Sequence, residues 1–139
     1  MDPDPDRRPA SKPARLRLLA VWYRLGALML LVVGVASLLP APDIGVNDKL
    51  SHSLVYIVLA AWFGLLADSR IALLWTGAGL LAYGILIEML QWMTSFRFAE
   101  AADVLANLIG IAIGLLVYFT PLRRVLAAVD RLLARIFLR

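Results

Sequence analysis

The segment DKLSHSLVYIVLAAWFGLLA, residues 48–67, decides the fold. After its first turns it is almost wholly apolar, and its length matches the ~20 residues that carry an α-helix across a bilayer core. Its start is polar. Asp48, Lys49 and His52 lie three and four residues apart, spacings that make His52 a neighbour of both on one helix surface. The segment therefore reads as a membrane-crossing helix with hydrophilic groups gathered at one end.

Three further runs of the same kind flank it. Residues 22–39 are apolar and stop at Pro40-Ala41-Pro42; residues 71–91 follow the short turn Asp68-Ser69-Arg70; residues 101–119 follow a polar loop over 92–100. In lipid only helices and closed barrels satisfy every backbone N–H and C=O, and continuous apolar runs of this length indicate helices. Hydrophobic residues make up 62% of the 139, and the mean hydropathy is +0.82. A soluble domain holds roughly 45–50% apolar residues, and a water-soluble fold would leave four such runs nothing to pack against. The expected class is an all-α membrane protein, a bundle of four transmembrane helices within residues 15–120.

The ends differ from this body. Residues 1–14, MDPDPDRRPASKPA, are rich in proline and charge and lack an apolar period, so a disordered tail is expected there. In residues 121–139, Arg124, Ala128, Arg131 and Arg135 recur at helical spacing, and Val125, Val129, Leu132, Ile136 and Phe137 fill much of the remaining surface. That pattern predicts a basic amphipathic helix lying on a membrane surface, separated from the last span by Pro121.

Charge placement gives the orientation. Of the 14 Lys and Arg, all but Lys49 and Arg97 fall on one side of a four-span topology. The positive-inside rule puts both termini of a multi-pass protein in the cytoplasm. A cleaved leader is the rival reading, because a basic start, the apolar residues 25–33 and the small Gly34 and Ala36 fit that outline. Cleavage would leave three spans and the same polar cluster. The net charge of +4 and pI of about 10.0 do not imply nucleic acid, since the arginines adjoin apolar runs and suit anionic lipid headgroups. With no cysteine there is no disulfide, thiolate nucleophile or Cys-based metal site.

Three pieces carry the chemistry: Asp48-Lys49-x-x-His52 opening the second span, Glu88-x-x-Gln91 closing the third, and Asp103-x-x-x-Asn107 opening the fourth, with Arg97 in the intervening loop. In the four-span topology all lie at one depth, near the outer face. An acid at the centre of a span costs ~2.5–3.5 kcal/mol on the insertion scale, so Glu88 and Asp103 are expected to face the bundle interior or to pair. Arg97 is expected to fold back onto one of them. Ala102, Ala106, Gly110 and Gly114 recur every fourth residue, a small-residue stripe that lets another helix approach.

These elements, in this order, resemble the VanZ-like family of small bacterial membrane proteins, over residues 47–114 and including Gly110 and Gly114. The resemblance implies a role at the cell envelope, the family's namesake being associated with resistance to the glycopeptide antibiotic teicoplanin. Resistance itself is not carried over.

Two functions fit the residues. In the first, an anionic lipid or glycan headgroup, such as a polyprenyl-phosphate-linked ligand, binds at the outer leaflet. Lys49 and Arg97 would hold phosphate, His52 with Asp48 or Glu88 would act as general base, and Asp103 and Asn107 would orient the cluster; Asp48, Lys49, Gln91, Arg97 and Asn107 are the ligand-binding candidates. His52, Glu88 and Asp103 are then the catalytic candidates. A metal held by these three would rest on a single imidazole, so none is assigned; the residues leave the question of a cofactor open. In the second function the cluster only fixes the bundle of a scaffold protein. Transport finds less support, because no broken helix or repeated half is evident.

Overall fold

A computed structural model describes residues 16–40, 48–93 and 100–137, with Asp48 described by its backbone alone. The expected tail at 1–14 and Arg97, expected in a loop, lie outside the described residues. Among those described, the elements are α1 (Leu19–Ser37), α2 (Asp48–Leu66), α3 (Arg70–Trp92), α4 (Ala101–Leu115), a 3-10 turn (Leu116–Phe119) and α5 (Leu122–Phe137). The first four helices, with the 3-10 turn extending α4, are long and apolar enough to cross a membrane. At 1.5 Å per residue, the 19 residues of α1 span roughly 28 Å, close to a hydrocarbon core of ~30 Å.

What ends each helix is local. Ser69 has extended backbone angles, and its hydroxyl accepts from the Ala72 amide at 3.1 Å, capping α3. After the 3-10 turn, Thr120 accepts from the Leu122 amide at 3.3 Å, and Pro121 turns the chain into α5. The surface of the bundle is apolar, with Leu31, Leu74 and Trp75 all largely exposed. That is the reverse of a soluble protein and suits a lipid surround.

The tightest packing is between α2 and α4. A methyl added at Gly110 would collide with the Ser53 backbone, and one at Gly114 with the Ile57 carbonyl and Ala60. The Ser53 hydroxyl donates across the seam to the Ala106 carbonyl at 3.0 Å. The small-residue stripe therefore does the packing expected of it. Elsewhere, the Tyr83 hydroxyl donates to the Leu30 carbonyl at 2.6 Å, tying α3 to α1. Tyr56, Leu59, Ala60, Leu80 and Ile111 form the buried centre.

α5 closes one end of the bundle, and its inward face carries charge. Asp130 is buried and accepts from the Arg17 amide at 2.6 Å, the Leu18 amide at 2.9 Å and the Trp22 indole at 2.9 Å. A carboxylate at the start of α1 satisfies free N–H groups and complements the helix dipole. Arg123 does the converse at the end of α2, donating to the Ala67 carbonyl at 2.6 Å and lying over the Tyr118 ring. The predicted amphipathic helix is present, with Val125, Leu132 and Ile136 exposed and Asp130 and Ala134 turned inward.

Candidate functional site

The opposite end of the bundle holds the polar cluster. α2 runs away from it, α3 returns to it and α4 leaves it again, so His52, Glu88 with Gln91, and Asp103 with Asn107 arrive at the same level from three helices. Glu88, Gln91, Asp103 and Asn107 are all buried. His52 Nδ1 lies 3.8 Å from Glu88 Oε1, and one donor atom each from His52, Glu88 and Asp103 fall within 4.8 Å of one another. The convergence expected from the sequence is present.

The local backbone explains the placement. Asp103 stands in the first turn of α4, where an acid is favoured by the helix dipole. Asn107 is one turn further along, on the same face as Gly110 and therefore beside the α2 seam. Gly84 leaves space for it: a methyl there would sit 3.1 Å from Asn107 Nδ2 and 3.0 Å from the Tyr56 hydroxyl. The Gln91 amide donates to the Ser37 carbonyl at 2.9 Å, fastening the end of α3 to the last turn of α1.

Lys49 stands at the edge of this cluster. Its ammonium pairs with Glu100 at 2.9 Å, both side chains about half exposed, so it bridges the start of α2 to the start of α4 at the rim. Hydrogen bonding and the charge of Lys49 hold the Glu100 carboxyl below the usual range against a small opposing effect of burial. The Asp48 side chain and Arg97 lie outside the description.

A cavity of about 230 Å³ adjoins the cluster, lined by Val32, Val33 and Ala36 of α1, Ser51, His52 and Tyr56 of α2, Glu88 of α3 and Asn107 of α4. The α1 residues of the lining are mainly apolar, whereas α2, α3 and α4 contribute imidazole, carboxylate and amide. Sequence reasoning missed Ser51, Tyr56, Glu100 and the α1 wall. Tyr56 follows His52 by four residues and so shares its face, a signal present in the sequence. The α1 wall had none, because valines in an apolar span look alike until packed.

Comparison of the chain with family models, with curated proteins and with solved structures finds no match.

Proposed function

We propose that this membrane protein is VanZ-like, resides in the bacterial cell envelope with both termini cytoplasmic, and binds or modifies an anionic lipid or glycan headgroup at the outer leaflet. The observation that carries this reading is the cavity lined by His52, Glu88 and Asn107 together with the mainly apolar Val32, Val33, Ala36 and Ser37 of α1. An amphiphile has that same division, a hydrophilic head joined to a hydrocarbon tail. The orientation rests on Arg17, Arg70, Arg123, Arg124, Arg131 and Arg135 gathering at the α5 end.

In this reading His52, beside Glu88, takes a proton from water or from an acceptor hydroxyl. Lys49 at the rim and Arg97, which lies between α3 and α4 in the sequence, draw in the phosphate, for which Lys49 exchanges its surface partner Glu100. Such an exposed pair is easily exchanged. Purified protein assayed with polyprenyl phosphate should bind it, with His52→Ala and Glu88→Gln each weakening binding or turnover at least about tenfold, roughly the loss of one charged contact. Turnover unchanged in both variants would remove the catalytic form of the proposal.

A scaffold reading is favoured by one observation, that Gln91 is spent on the Ser37 carbonyl inside the bundle. It predicts that Glu88→Gln and Asp103→Asn lower thermal stability in detergent. Normal stability with lost headgroup binding would decide against it.

A further inference from the structure

We propose that His52, Glu88 and Asp103 form a binding site for a divalent metal ion, Zn²⁺ by donor chemistry, with the Asn107 carbonyl oxygen beside it. His52 is the only histidine in the chain, and the sequence by itself offers a single imidazole with two distant acids. Folding brings their donor atoms within 4.8 Å of one another. The His52 Nδ1 to Glu88 Oε1 separation of 3.8 Å is close to the roughly 3.4 Å between ligand atoms around a tetrahedral ion with bonds of ~2.1 Å. Small side-chain rotations close the remainder.

The donor set selects the ion. One imidazole nitrogen with two carboxylate oxygens suits a borderline cation that accepts both atom types, and three protein ligands leave a coordination position open. Two acids brought together inside an apolar bundle repel each other, and a doubly charged cation cancels that repulsion. Asn107 is the independent pointer. It is 2% exposed, its Oδ1 has no hydrogen-bond partner among the described residues, and it lines the cavity that His52 and Glu88 line. A buried carbonyl oxygen of this kind is completed by the hydrogen of a water bound to such a cation, which leaves the fourth position free of protein.

The site deepens the headgroup-binding part of the proposal and rests on it in one respect; with the ion bound, His52 serves as its ligand and the proton is lost from metal-bound water instead of passing to His52. Glu88 lines the cavity and Asp103 stands close to it, and Lys49 is engaged at the rim with Glu100. An anionic phosphate meets a favourable field there when a cation stands between it and the carboxylates, and the open coordination position provides for a phosphate oxygen.

The test uses tag-free protein in detergent, stripped with chelator and titrated with Zn²⁺ alone by calorimetry. The expected result is one ion per chain with a Kd of about 1 μM or tighter, weakened at least about 100-fold in His52→Ala and in Asp103→Asn. Since either variant can lose its fold, wild-type protein loaded with Cu²⁺ is also examined by pulsed electron paramagnetic resonance. A single coupled imidazole identifies His52 without any substitution. Absence of saturable Zn²⁺ binding, affinity retained in His52→Ala, or a Cu²⁺ spectrum lacking imidazole coupling would overturn the site and leave the headgroup proposal standing. In a second arm, polyprenyl phosphate should bind at least about tenfold tighter with Zn²⁺ than with chelator, the worth of one charge-assisted contact. Zn²⁺ binding as expected with no effect on the phosphate would uphold the metal site and count against the headgroup reading.

Discussion

Asp130 is a carboxylate 1% exposed, held by two backbone amides and an indole at the start of another helix. Burial acts to raise its pKa, but those hydrogen bonds, with the nearby Arg17 charge, outweigh it and hold the group below the usual carboxylate range. The folded state thus favours the ionised form. The stabilisation is fully present above the unfolded value of ~3.9 and is lost as pH falls through the lower folded value. Asp130→Ala should cost about 1–3 kcal/mol near neutral pH, the penalty for leaving such donors unmatched. Unfolding followed from pH 6 to pH 3 should show the wild-type advantage shrinking towards the acid end; a constant difference would mean that ionisation plays no part. Nothing in the sequence distinguished Asp130 from a solvated charge, because its partners are 108 or more positions away. Glu88 and Asp103 were legible for the opposite reason: an acid inside a hydrophobic run must have a buried purpose.

At the level of elements, the α2–α4 seam makes the sharpest prediction. Gly114→Ala places a methyl against the Ile57 carbonyl and Gly110→Ala places one against Ser53. Backbone cannot move aside as a side chain can, so each should destabilise by about 1–3 kcal/mol or more. Gly79 has nothing within 4 Å of an added methyl, so Gly79→Ala should stabilise by roughly 0.5–1 kcal/mol through helix propensity. Thermal unfolding in one detergent compares all three, and equal effects would refute the close approach. The four spans and α5 were legible because apolar run length and helical period are local properties. The structure starts α1 at Leu19 and tightens residues 116–119 into a 3-10 turn, details set by how α5 folds back rather than by hydropathy.

For the whole molecule, the two ends of the bundle have opposite characters. One is fastened by Asp130 and Arg123 plugging helix termini; the other gathers buried acids, amides and the histidine beside a cavity. The chain has no cysteine, so single cysteines report sidedness cleanly. Under the proposed orientation, Lys49→Cys should react with an impermeant maleimide from outside intact cells, and Arg70→Cys only after permeabilisation. The reverse pattern would invert the topology and place the cavity at the inner leaflet.

The meeting of three helices at one polar level is tested most directly by cysteine pairs in membranes. His52→Cys with Glu88→Cys should be joined by a short thiol-specific cross-linker, read as loss of both free thiols, whereas His52→Cys with Thr76→Cys, at opposite ends of α2 and α3, should not. Cross-linking of the second pair without the first would contradict the shared cluster.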